Sequence, residues 1–264
     1  VGMQGSPVLN IMAEMYRQLD PSRDMDEQME EFMSSLTEEE RQAFIDFAEA
    51  FEDDDTGLGQ FGYMMSILFL PLIDNVVFVK QDDALAKFEG LTYRGENKVN
   101  YNTQSGQYYM QSRWDEQNQI SFTYKEEDFS EGFAQQPIND DLYNIQQTNE
   151  TEIIAGYTCR QQVYTAKSQE TSPYKLEVWT SQLMPKSVNF LHPYYMRETG
   201  GIMKITAHLT HSMAFPIVYE FKTVNPRAVT DGEMAIKEVA PLYNFNDDPI
   251  GISFKIFGIL FAEN

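Results

Sequence analysis

The sequence predicts an α+β fold, with a large, strongly curved antiparallel sheet from about residue 80 onward and N-terminal helices packed on or beside it. Three observations predict it. Apolar residues recur at helical spacing near the N-terminus, whereas two-residue alternation governs the chain between Thr151 and Phe221. Charge also divides: residues 1–60 hold 16 acidic and 3 basic side chains, against 25 and 16 in residues 61–264. The break near Gly57-Leu58-Gly59 separates an acidic helical region, residues 1–59, from a β-rich region, residues 60–264.

Ser6-Pro7 reads as an N-cap followed by proline at the first helical position, and Val8, Ile11, Met12, Met15 and Leu19 form the apolar stripe that follows. Asp20-Pro21 stops that helix. Met25, Met29, Phe32, Met33 and Leu36 make a second stripe. Thr37 with Glu40 is a capping-box signature for a third helix carrying Phe44, Ile45, Ala48 and Phe51. The methionine-rich stripes read as packing faces, and also as soft surface that repacks readily around a partner or lipid. From Phe61 to Val79 the chain is strongly apolar but interrupted by Pro71 and Asp74, so a buried helix is expected there, with an interfacial or lid segment as the alternative, and a membrane span is not.

Lys98–Tyr101, Gly106–Met110 and Gln119–Tyr124 then read as a β-meander, with Asn102-Thr103-Gln104-Ser105 as its first turn. Residues 125–149 are polar and read as a long surface connection. Beyond it, residues 157–163 and 174–178 alternate as two strands joined by the polar loop Lys167–Pro173, an antiparallel hairpin. Residues 203–209 and 217–224 supply two more alternating runs, ended by Asn225-Pro226. The tail, residues 252–261, is apolar on both faces apart from Ser253 and Lys255 and reads as a buried strand or a docked helix.

The run Ile154-Ala155-Gly156-Tyr157-Thr158-Cys159, a polar loop, Glu177-Val178-Trp179-Thr180 and a strand near Gly200-Gly201-Ile202-Met203-Lys204-Ile205 resembles exported bacterial families of unknown function related to the GLPGLI proteins. The resemblance covers roughly residues 80 to 230. It departs from the family at Thr199-Gly200-Gly201-Ile202, where the GLPGLI signature would stand. It implies the open half-barrel of the lipoprotein carriers LolA and LolB, a periplasmic or cell-envelope location with the signal segment already removed, and an acyl-chain or other apolar ligand. On that implication Tyr157, Val163, Leu176, Val178, Ile217, Tyr219 and Phe221, which share apolar parity, line the ligand face.

Composition narrows the chemistry. A net charge of −22 repels phosphate backbones, so nucleic acid is not an expected partner. The single cysteine, Cys159, excludes an internal disulfide, and its strand position reads as a small buried side chain. Asp53-Asp54-Asp55-Thr56-Gly57 and Asn244–Asp248 both fail the EF-hand template at its glycine and glutamate positions. His208-Leu209-Thr210-His211 lacks further ligands at zinc spacing, and the phosphate-loop, dinucleotide and zinc-protease motifs are all missing. No catalytic residue, metal site or cofactor is therefore assigned. Two non-enzymatic readings lead: a carrier holding an apolar ligand against its sheet, or an envelope protein that binds a protein partner and fills its own interior; an enzyme, which a polar cleft with a perturbed histidine or cysteine would mark, is the weakest third.

Overall fold

The computed structural model describes residues 7–20, 23–52, 74–125, 140–169, 171, 173–192, 196, 198–208 and 216–261. Of the expected features, Ser6, Pro21, residues 53–73 with the Met64–Ile73 run, residues 126–139 and residues 209–211 lie outside them. Among the described residues the fold is α+β, with four α-helices and eleven strands.

Helix α1 spans Pro7–Gln18, α2 Met25–Ser35 and α3 Glu38–Glu52. The capping box forms as its sequence dictates: Glu40 accepts from the Thr37 amide at 2.8 Å, and the Glu40 amide donates to Thr37 Oγ1 at 3.3 Å. Asp24 caps α2 by accepting from the Glu27 amide at 2.9 Å.

The strands divide between two open sheets where one was expected. The first is a six-stranded sheet whose meander runs β1 (Asp74–Lys80), β2 (Asp83–Glu89), β3 (Tyr93–Asn100), β4 (Ser105–Ser112) and β5 (Gln119–Lys125), with β11 (Leu242–Asn244) parallel beside β5. The second orders β10 (Ile217–Glu220), β9 (Gly201–His208), β8 (Lys175–Ser181), β7 (Tyr157–Ala166) and β6 (Tyr143–Ile154), all antiparallel. Two local readings change. Asn75–Val79, read as part of a buried helix, is strand, as its β-branched run favours. Residues 143–149, read as a connection, belong to β6, an edge strand exposed along most of its length, which is why polar side chains suit it. Ala155 and Gly156, both at positive φ, form the two-residue turn between β6 and β7.

The tail resolves to helix α4, Pro249–Leu260, docked on the six-stranded sheet through Ile252, Ile256, Ile259 and Leu260. On the opposite face of that sheet, the segment that leads to β11 is held by polar contacts: the Lys237 amide donates to Glu96 and the Val239 amide to Ser121 Oγ.

A short 3-10 stretch, Lys186–Leu191, ties β9 to the first sheet. Its Asn189 accepts from the Ile202 amide at 2.7 Å and donates to the Gly200 carbonyl at 3.1 Å, all of it buried. Next to it the His192 ring, 4 % exposed, donates from Nε2 to the Ile202 carbonyl at 3.1 Å in its neutral form. Burial pushes its pKa down to about 4, below the ordinary 6.5. A depressed histidine contributes stability that is complete above 6.5 and is lost as pH falls towards 4. The expected loss reaches about 3 kcal/mol across that window, and urea unfolding of His192→Gln, whose amide can still donate to Ile202, should show a flatter profile there.

Candidate functional site

The seven residues expected to line one ligand face fall on two. Leu176 stands opposite Tyr164 and Ala207, and Ala207 opposite Ile217; Val178 stands opposite Ile205, and Ile205 opposite Tyr219. Leu176, Val178, Ile217 and Tyr219 thus form one patch, each 0 to 3 % exposed. Val163 pairs with Glu177 and shares the other face with Tyr157, because β7 is phased so that Tyr164 faces the core. Tyr157 and Phe221 pack against a separate cluster of Ile154, Cys159, Trp179, Met184, Val188 and Met203. The sequence reading missed Tyr164, Ile205 and Ala207 as members of the patch. Adjacent apolar residues at 163 and 164 leave the phase of β7 undetermined by alternation alone.

The patch is covered by side chains of this chain: Val8 and Ala13 from α1, Leu91 and Met196, with Met12, Tyr16, Ala43 and Phe44 at its margin. One polar group interrupts it. Glu198, 5 % exposed, accepts from the Tyr164 hydroxyl through a very short bond and from Gln162 Nε2 at 2.7 Å. No ion pair reaches it among the described residues. Burial raises its carboxyl pKa and nearby Asp140 adds to this, outweighing the bonds from Tyr164 and the Thr199 amide. Burial and the charge of Glu198 raise the Tyr164 phenol in turn. A carboxyl raised in the folded state contributes stability that is present below its unfolded pKa and lost as pH rises through the folded one. Glu198→Gln should therefore raise the melting temperature at pH 8 relative to the native chain and have little effect at pH 4, since Gln162 can turn its amide to match.

On the opposite face of the same sheet Glu177 takes a bond from Lys175 Nζ at 2.6 Å and lies 3.4 Å from His208 Nε2. Burial pushes the Glu177 pKa up, but Lys175 and His208 outweigh it and hold it below the ordinary value. His208 Nε2 is buried, and its ring also lies 5.8 Å from that of Tyr174. Among the described residues no three of His, Cys, Asp and Glu are arranged to hold a metal ion. Cys159 is fully buried; its thiol contacts the Tyr157 carbonyl at 3.4 Å, and burial pushes its pKa up to about 11, which suppresses the thiolate that nucleophilic chemistry needs.

The six-stranded sheet carries a second apolar surface. Phe88 lies across Gly95 and Tyr124 across Gly106, positions where an added Cβ would meet the ring at 2.5 and 2.4 Å. Tyr108 stacks on Phe122 at 5.4 Å, Phe88 approaches Tyr108 at 5.8 Å, and the Tyr124 hydroxyl donates to Asn97 at 2.6 Å. Phe122 is buried, while Phe88, Tyr108 and Tyr124 are half-buried. Helix α4 covers one end of this tile and presents Ile250 and Phe254 outward, with Phe261 just beyond its last residue; these are 71, 70 and 52 % exposed. No helix among the described residues is long and apolar enough to cross a membrane.

No family model and no curated protein matches the chain. Among solved structures it is similar to PNGF-II, at 13 % identity over 70 % of this chain and 30 % of that one with a TM-score of 0.42 in a C2 crystal form. In a P21 form the values are 12 %, 70 %, 29 % and 0.39. It is also similar to a putative outer membrane lipoprotein-sorting protein domain from Vibrio parahaemolyticus, at 10 % identity over 47 % of this chain and 60 % of that one, TM-score 0.16. The chain thus spans under a third of the PNGF-II chain. At these scores the likenesses carry no argument about function, and the resemblance to GLPGLI-related families rests on the residues that carry it.

Proposed function

We propose that this chain is a non-catalytic binding protein of the cell envelope that fills its five-stranded sheet with its own side chains and binds a protein partner through outward apolar surface. The carrying observation is the burial of Leu176, Val178, Ile217 and Tyr219 under Val8, Ala13, Leu91 and Met196. Among the described residues this chain's own side chains lie where an acyl chain would have to rest, and protein interiors are ordinarily close-packed. The envelope location comes from the sequence resemblance. A non-catalytic role is supported by the burial of Cys159 and by the engagement of His192 in a backbone bond.

Acyl-chain carriage is the second reading, and the half-buried rings of Phe88, Tyr108 and Tyr124 favour it. Displacement of a fluorescent fatty acid from delipidated protein separates the two. The partner-binding reading expects no saturable displacement; a saturable isotherm near one equivalent would establish carriage.

A further inference from the structure

We infer that the outward stripe of α4 docks a basic amphipathic helix of another protein, an assignment that rests on the partner-binding reading above. The helix is apolar on both sides. Its inner side chains are already seated on the sheet, so burial there does not account for the outer ones. Ile250, Phe254 and Phe261 are exposed, and half-buried Phe257 stacks on Phe261 at 6.1 Å. Their spacings of four, three and four residues align them along one side, as in a helix–helix seam. A soluble surface helix ordinarily puts charge on that side.

Charge selects the partner. Within α4 the one charged side chain is Lys255, and its Nζ lies over the Tyr243 ring at 5.4 Å. Acidic groups lie near both ends of the stripe. Exposed Asp247 and Asp248 precede the helix. At the other end Asn118 Nδ2 bonds the Gly258 carbonyl at 2.9 Å and brings up the turn that carries exposed Asp115 and Glu116. A second copy would bring the same acids and a net charge of −22, and an anionic lipid surface would be repelled likewise. A helix with an apolar seam and lysine or arginine flanks satisfies both stripe and rim. At 1.5 Å per residue α4 is about 18 Å long, so three turns of partner helix suffice.

The test uses fluorescence anisotropy of two labelled synthetic helices at 0.15 M salt, one with a leucine seam and lysine flanks, the other with serine in place of leucine. The leucine peptide should bind about tenfold tighter or better than the serine peptide. Phe254→Ser and, independently, Ile250→Ser should abolish that difference without moving the melting temperature, since both side chains are exposed. Added salt should weaken binding. Equal binding of the two peptides, or a leucine preference that survives both substitutions, overturns the inference. So does Phe254-dependent dimerisation that strengthens with salt, which would assign the stripe to a second copy, or Phe254-dependent flotation with phosphatidylcholine vesicles, which would assign it to lipid. Fatty-acid displacement reports on the underlying reading separately, because it does not involve the α4 stripe.

Discussion

Asn189→Ala should lower the unfolding free energy by about 3 kcal/mol, the sum of two buried backbone groups each left unsatisfied at roughly 1–3 kcal/mol. Between β8 and β9 the register shifts after Trp179: Trp179 pairs with Lys204 while Thr180 pairs with Ile202, which leaves Met203 as an extra residue in β9. Such a bulge frees backbone groups from the ladder. Asn189 answers this with its two ends, accepting from the Ile202 amide and donating to the Gly200 carbonyl. Asn189→Asp keeps the acceptor but loses the donor, and sets a carboxylate against the Gly200 carbonyl. It should be at least as damaging at pH 7 and recover partly near pH 4, where the carboxyl takes a proton. Chemical denaturation of the three proteins at both pH values measures this. An alanine variant within 0.5 kcal/mol of the native chain, roughly the scale of a neutral surface change, would show that Asn189 does not hold the bulge.

Arg113→Ala should cost about 3 kcal/mol for a different reason: it unfastens α1 from the sheet. The guanidinium, with its side chain 9 % exposed, donates to the Leu91 carbonyl at 3.0 Å and to the Tyr16 carbonyl in the last turn of α1, also at 3.0 Å. It lies 3.3 Å from Glu89 and over the Trp114 ring at 5.3 Å. Burial lowers its pKa, opposed mainly by Glu89. Arg113→Lys should recover little, because one ammonium cannot span two carbonyls and a carboxylate with the geometry of a planar fork. Hydrogen exchange should show α1 opening before the strands in both variants. Uniform loss of protection across the whole chain would contradict this role as a fastener.

Much of the fold was legible where one physical signal dominates. Thr37 and Glu40 announced α3 through reciprocal capping, and the meander from Lys98 to Tyr124 followed from turn residues between β-prone runs. The alternation at 157–163 and 174–178 was visible, and the strands that form there, 157–166 and 175–181, do pair. Failures fall where signals compete. In β7 both Val163 and Tyr164 are apolar, so the phase is decided by pairing with Leu176 and not by alternation. Strand β6 is polar because its surface is exposed, and exposure erases the contrast that marks a strand. The division into two sheets is set by long-range pairing, including the parallel contact of β11 with β5 across more than a hundred residues, which no local window contains. Within the candidate ligand face, Leu176, Val178, Ile217 and Tyr219 stand side by side across their strands. Their burial under α1 depends on tertiary packing, and the sequence offered no sign of which helix face would cover them.

Native mass spectrometry of the gently purified full chain tests the central claim most directly. An interior filled by its own side chains predicts a single species at the mass of the bare polypeptide. A stoichiometric adduct of lipid or fatty-acid mass, retained through buffer exchange and released on unfolding, would contradict that claim and establish this chain as a carrier.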